Sequence, residues 1–299
     1  MSNPPSDFVV TSHQFTKKTY RDQYPAIDPS SPQLSQHGKV IIITGASQGL
    51  GRRAFAPAFA KAKPKAIVLT SRNANELAAA AQELRNLAPD VKILDVPADV
   101  TNENSVKDLF QKVKENFGSA DVLVNNAGVF KSFGPLADAS PKEWWEDIEI
   151  NVKGTFNVTQ AFLQLIGPDK PATIINLTTG AAVQIFPNVS GYGLSKLVVA
   201  QMQQFLAAER PSVTAISLTP GVVKTAMTVE AFEPFAKDTP ELTGGAGVWL
   251  ATEQAKFLNG SYVSANWSVE ELVQRKQEIV DGGLLRIGLK GTLGIDQFK

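Results

Sequence analysis

Tyr192 and Lys196 lie four positions apart in the stretch NLTTGAAVQIFPNVSGYGLSK, residues 176–196, with Thr178 and Thr179 upstream. On a helix such a pair stands one residue above the other on a single face. A tyrosine hydroxyl has a reference pKa of about 10, too high for efficient proton transfer near neutrality. An ammonium beside it favours the phenolate and lowers that value. The pair therefore suits a general acid/base that gives a proton to an oxygen or takes one from it. A second constellation is TGASQGLG, residues 44–51, between a β-branched run and a helical pattern. Gly45 allows a sharp turn, while Gly49 and Gly51 allow backbone to approach a ligand and helix to approach sheet. The exposed amides of Ser47, Gln48, Gly49, Leu50 and Gly51 at a helix N-terminus, with the helix dipole, attract a pyrophosphate.

These residues need elements that bring their loops to one edge. From Lys39 the chain alternates short β-branched runs (KVIIITG, AIVLTS, VKILDVPADV, DVLVNNAG, ATIINLTTG, VTAISLTPG, GSYVSAN) with helical patterns. Such alternation predicts βαβ units and a parallel sheet covered on both faces. Pro57 is expected to kink the first helix or lie near its boundary, and Thr101 to cap the helix that starts at Glu103. The expected class is α/β: one Rossmann-type doubly wound domain over residues 38–265. An extended arm over 1–37, with five prolines, precedes it, and a C-terminal extension over 266–299 follows.

Lys plus Arg and Asp plus Glu both number 29, so there is no overall basic surplus to suggest nucleic acid. Without Cys, and with His13 and His37 both in the leader, no metal site, thiol nucleophile or His-based triad is expected. No apolar run approaches the roughly 20 residues of a membrane span, and the N-terminus does not read as a signal peptide. A cytoplasmic protein with no membrane partner is the expectation.

Beyond TGASQGLG the chain carries DV (99–100), NNAG (125–128), NVKG (151–154), YGLSK (192–196) and PGVVKT (220–225), each beside a strand end or in a helix. In this order, over residues 38–265, they resemble the short-chain dehydrogenase/reductase family of classical type. The resemblance implies a nicotinamide enzyme in which Tyr192 protonates a carbonyl oxygen as hydride reaches its carbon, or runs the reverse. It implies that Lys196 also binds the nicotinamide ribose. Asn151 would interrupt its helix to hold a water in the proton relay. Asp99 and Val100 would hold the adenine, Asn126, Ala127 and Gly128 the adenosine ribose and backbone path. Pro220, Val223 and Thr225 would lie near the carboxamide end. The family's Ser, thirteen positions before the Tyr, is here Thr179. Thr keeps the donor and acceptor capacity of Ser and adds a methyl and a stiffer rotamer.

An acid about 20 residues beyond the glycines holds the ribose diol of NAD in such folds. Here that place falls on Ser71, followed by Arg72. A guanidinium can bind a 2′-phosphate that a carboxylate would repel, so NADP(H) is the expected cofactor. Phe130, Phe133, Phe186, Met227, Phe232 and Phe235 fall in loops after strands and suggest an apolar, aromatic or polycyclic ketone or secondary alcohol. Residues 222–242 occupy the usual place of a substrate lid. The leader and extension resemble those of fungal members associated with secondary metabolism, and the family commonly forms homodimers or homotetramers. Two other readings stay open: an NADP-binding protein with little turnover that regulates or scaffolds, and an epimerase or cyclase on the same fold.

Overall fold

The run Val40–Thr44 forms β1, and its side chains alternate between two apolar layers. Ile41 and Ile43 enter one core, Val40 and Ile42 the other. A strand buried on both faces is what a parallel sheet between helices requires. The computed structural model describes residues 5–291 and 294–295. The remaining strands are β2 (Ala66–Ser71), β3 (Lys92–Pro97), β4 (Val122–Asn125), β5 (Ala172–Leu177), β6 (Val213–Thr219) and β7 (Tyr262–Ser264). They form a 7-stranded sheet in the order β3-β2-β1-β4-β5-β6-β7, with every neighbouring pair parallel. The order reverses between β1 and β4, and a crevice opens at such a switch point outside the C-terminal strand ends.

A short helix, α1 (Phe8–Thr11), lies in the arm, and α2 (Ala56–Lys61), α3 (Ala74–Leu87) and α4 (Glu103–Phe117) follow the first three strands. Then come α5 (Pro141–Ile148), α6 (Gly154–Ile166), α7 (Ser190–Glu209), α8 (Pro240–Leu250), α9 (Val269–Gln274) and α10 (Lys276–Asp281). Pro57 sits in the first turn of α2, directly after a π-helical turn over Gly51–Phe55. Proline has no amide proton to continue an α-helical ladder, and the wider turn upstream accommodates that break. The cap of α4 is one residue later than expected: Asn102, not Thr101, accepts the amide of Ser105 at 3.0 Å. Thr101 instead donates its hydroxyl to Asp99 at 2.8 Å, closing the turn that precedes the helix.

Residues 5–39 run along the domain, with Ile27 and Leu34 buried. Beyond β7, Trp267, Val269, Leu272 and Ile279 join the same core.

Candidate active site

Glycine geometry shapes the turn after β1. Gly45 and Gly49 both have positive φ, +64° and +55°, a region that side chains with a Cβ rarely enter. A Cβ on Gly45 would lie 2.8 Å from the Ala127 Cα, and one on Gly51 would collide with the Gly45 carbonyl. A Cβ on Gly49 would meet nothing within 4 Å. Gly45 and Gly51 thus pack turn against helix and against the β4 loop, while Gly49 faces open space. First-turn amides there have no intrahelical acceptor, so the concavity fits a phosphate.

The side chains of this turn divide between core and solvent. Ser47 is buried, Gln48 is exposed and Leu50 is half-buried against the core that contains Ile41 and Ile43. The Gln48 carbonyl accepts the Arg52 amide at 3.3 Å, which starts the helical ladder. Gln48 has no side-chain hydrogen bond among the described residues and leaves its amide group to solvent. Leu50, at φ −68°, anchors the helix start by its apolar side chain. Anything it offers a phosphate comes from its backbone, whereas Gln48 also has a solvent-exposed side chain.

Asn126 fastens this turn to β4. Its amide side chain donates to the carbonyls of Thr44 at 2.8 Å and Gly45 at 3.1 Å. Thr44 Oγ1 accepts the amides of Asn126 and Ala127 at 3.0 and 2.9 Å. Arg72 follows the end of β2, whose Thr70 carbonyl accepts the Ala46 amide at 3.1 Å. Its guanidinium is exposed and has no hydrogen-bond or ion-pair partner among the described residues. Asp99 lies at the neighbouring strand end, where one oxygen holds the Thr101 turn. Val100 is buried where α6 passes: a Cβ on Gly154 would lie 2.6 Å from its Cγ2.

On the other side of the crevice, α5 gives way to α6 through a π-helical turn, Glu149–Lys153, that contains Asn151. Asn151 is fully buried. It accepts the Val129 amide at 2.8 Å and donates to the Val129 carbonyl and to Ser195 Oγ, both at 2.9 Å. Ser195 in turn donates to the Tyr192 carbonyl at 2.7 Å. The side chain of Asn151 thus ties the β4 loop to the first turn of α7. Gly128 completes that junction, since a Cβ would lie 2.9 Å from Asn151 Oδ1 and 3.2 Å from Lys196 Nζ.

Tyr192 and Lys196 share one face of α7, with the ammonium 5.9 Å from the ring centroid. Lys196 is buried and donates to the Leu177 carbonyl at 3.0 Å. Burial lowers its pKa to about 8, and the negative charge of Asp147 partly opposes the fall. Tyr192 is half-buried, stacks on Phe130 at 4.7 Å, and makes no hydrogen bond through its hydroxyl among the described residues. Its pKa moves up, first through burial and then through Asp147. In the protein alone, therefore, the phenol moves opposite to the lowering expected from the neighbouring ammonium.

The two threonines separate cleanly. Thr178 is buried, and its hydroxyl donates to the Lys196 carbonyl at 3.1 Å. Thr179 is half-buried and extended at φ −153°, and its Oγ1 accepts only the Ala181 amide, at 3.3 Å. Among the described residues its hydroxyl proton has no acceptor. Past β6, Pro220 and Val223 begin the loop carrying Thr225, whose Oγ1 accepts the Met227 amide at 3.2 Å. Arg53, in the glycine-turn helix, donates to the Lys224 carbonyl at 2.8 Å and holds this loop to the turn.

Asp147 was not legible as a site residue. It is fully buried in α5, and its two oxygens accept the amides of Lys131 at 2.8 Å and Ser132 at 3.1 Å. It fixes the loop carrying Phe130 and Phe133 and, second to burial, pushes the pKa of both Tyr192 and Lys196 upward. In KEWWEDIE it sits among acids and reads as part of a solvated face.

A family model described as short chain dehydrogenase matches residues 39–235. Among curated relatives, the short chain dehydrogenase mpl6 of Monascus purpureus is 37% identical, over 97% of this chain and 99% of its own. The short chain dehydrogenase andI of Emericella variicolor is 35% identical, over 92% and 96%. Among solved structures, a short chain dehydrogenase from Shigella flexneri 2a str. 301 complexed with NADP superposes with a TM-score of 0.72 at 26% identity. That match covers 79% of this chain and 99% of the other. Glycine turn, Tyr-Lys pair and sheet order together with these matches place the chain in the short-chain dehydrogenase/reductase family of oxidoreductases.

Proposed function

We propose that the protein is an NADPH-dependent carbonyl reductase, reversible as an alcohol dehydrogenase, acting on an apolar ketone or secondary alcohol of fungal secondary metabolism. The observation that carries this reading is a half-buried phenol with a buried ammonium four residues on, the ammonium held by the carbonyl at the end of the strand that leads to Thr179, whose hydroxyl proton has no acceptor among the described residues. Bound NADP(H) supplies the hydride in reduction and accepts it in oxidation. The glycine turn, with the amides of Ser47 to Gly51, would hold its pyrophosphate, Arg72 its 2′-phosphate and Lys196 its nicotinamide ribose. Tyr192 would give its proton to the carbonyl oxygen, which Thr179 would hold by a hydrogen bond. Phe130 and Asp147 keep the phenol in place, the first by stacking on its ring and the second by fixing the loop that carries Phe130. The NADP bound by the Shigella relative supports the cofactor reading.

Steady-state turnover with NADPH on bulky aryl ketones against small polar ones tests the reading, and the former are expected to be preferred. Thr179→Ser is expected to hold kcat within about threefold, because the hydroxyl is kept. Thr179→Val keeps the shape and removes the donor, and should lower kcat by roughly 10²–10³-fold. If Val matches wild type, Thr179 does not hold the reacting oxygen. Arg72→Glu should weaken NADPH by about 10²-fold or more, since it replaces a phosphate ligand by a like charge, and should leave NADH nearly unchanged. Equal loss for both cofactors would argue against a 2′-phosphate contact.

The same family reading implies a homodimer or homotetramer. Supporting it, α6 and α7 flank a groove of about 700 Å³ lined by Phe156, Leu163, Met202 and Phe205. Two of these, Phe156 and Phe205, are 49% and 62% exposed. Sedimentation at graded concentrations would detect the association.

A further inference from the structure

The loop after β6 is closed by one buried carboxylate. Asp238, whose side chain is fully buried, accepts the Val222 amide at 2.5 Å, while the Asp238 amide donates to the Val222 carbonyl at 3.1 Å. The first and last residues of loop 222–238 are thus stitched together. Gly221 is shaped around that carboxylate: its φ is +81°, and a Cβ would lie 2.5 Å from Asp238 Oδ2. The two remaining partners come from outside the loop. Asn266, next to β7, donates at 3.0 Å, and Arg21 donates at 3.1 Å from the N-terminal arm, which precedes the matched family segment.

Arg21 is one of several arm residues on this loop. Its carbonyl accepts the Thr239 amide at 2.9 Å, Asp22 accepts the Thr239 hydroxyl at 2.6 Å, and Ser6 accepts from Lys237 at 2.5 Å. The arm also reaches the opposite wall, where Gln184 donates to the Ser12 carbonyl at 3.0 Å. That wall continues from Thr179 and meets the loop where Phe186 and Phe232 pack edge to face, centroids 6.5 Å apart. The arm is itself moored: Tyr20 and Asn266 exchange two hydrogen bonds, and Trp267 donates to the His13 carbonyl at 2.9 Å. Between its ends the loop is tied near its start by Arg53 and by the Thr225–Thr228 turn, but no residue of Glu230–Phe235, which carries Phe232 and Phe235, is buried.

We propose that the N-terminal arm is a built-in part of the substrate site, with Arg21 a positioning residue that, through Asp238, holds loop 222–238 against the 183–186 wall. The proposal rests on reading this cleft as the reductase site. An exposed ion pair would have little leverage. Here the carboxylate is buried, so loss of Arg21 leaves its negative charge with the neutral donors Val222 and Asn266 and no cationic partner among the described residues. That charge is relieved only by protonation or by the loop swinging away from its stitched position. Met227, Phe232 and Phe235 ride on this loop, so the effect falls on substrate binding before it falls on proton transfer.

The test compares Arg21→Ala, Arg21→Lys and Asp22→Ala with wild type in steady-state turnover of one ketone and in limited trypsin digestion at Lys224 and Lys237. Arg21→Ala should raise KM for the ketone about tenfold or more with kcat within about threefold, the split expected when uniform binding is lost. Cleavage at the loop lysines should quicken by a similar factor, as local opening becomes more frequent. Arg21→Lys keeps the charge without the fork and should recover much of both. Unchanged KM and unchanged digestion in Arg21→Ala would overturn the proposal. Should that variant fail to fold, Asp22→Ala, which cuts the Thr239 tie on the surface, should move both readings in the same direction by a smaller factor; no movement there would overturn it equally. Absence of turnover in the wild type would sink the reductase reading, whereas the digestion pattern still decides the arm.

Discussion

Tyr192→Phe is expected to lower kcat for ketone reduction by about 10³-fold, within the range that a positioned acid contributes, while NADPH affinity and thermal stability stay close to wild type. The substitution removes one oxygen and little else. The ring keeps its stack on Phe130 at 4.7 Å, and no described residue loses a hydrogen bond, because none binds the hydroxyl. A stability change would therefore point to a different role. The pH dependence sharpens the test. Burial, and then the charge of Asp147, hold the phenol above its ordinary range in the protein alone. At neutral pH it is protonated, the form that reduction uses. Alcohol oxidation needs the phenolate, so its rate should climb with pH where reduction does not, and the Phe variant should lose that climb. A Phe variant keeping more than about a tenth of wild-type kcat would remove Tyr192 from the proton path.

Much of this site was legible because its residues act through local spacing. The glycine turn, the Tyr-Lys pair and the strand runs are short-range patterns, and a parallel sheet gathers all their loops at one edge. Within the turn, spacing places Gln48 and Leu50 together, but only the packed fold sends one side chain to solvent and the other to the core. Thr179 was separable from Thr178 by position, and the structure shows why the pair divides: the buried one is spent on the Lys196 carbonyl. Other features depend on contacts that no window of sequence contains. Arg21 and Asp238 are 217 positions apart. Asp147 looks like its acidic neighbours until the β4 loop is laid across it. Phe130 reads in the sequence as one more aromatic in a loop after a strand, and only the fold lays its ring on Tyr192. The π-helical turns at Gly51–Phe55 and Glu149–Lys153 have no distinct periodicity, since one widened turn hardly alters which positions are apolar. The shift of a cap from Thr101 to Asn102 has the same origin, because both residue types cap well and only the Asp99 turn decides between them.

Lys196→Met is expected to abolish turnover and yet to stabilise the protein without cofactor at pH 7. The ammonium is buried with only the Leu177 carbonyl as a hydrogen-bond partner among the described residues, and its pKa falls to about 8 from 10.5. A folded-state value below the unfolded one means that folding releases protons between these two pH values. Stability contributed by this group therefore rises with pH through that window, and the full penalty is present below about pH 8. A displacement of this size corresponds to about 3 kcal/mol. The lost hydrogen bond returns about 1 kcal/mol of it, and Met fills the same straight-chain volume. Thermal or urea unfolding should then show Met ahead by about 2 kcal/mol at pH 7, with the gap closing towards pH 10. A Met variant less stable than wild type at neutral pH would mean that the ammonium is better solvated than its burial implies. A gain that does not fade with pH would mean that packing, and not charge, is responsible. If the gap behaves as expected, the wild-type chain carries an unfavourable buried charge that the fold alone does not need. The ribose hydroxyls that Lys196 would bind, and the proton that Tyr192 would transfer beside it, then account for its presence.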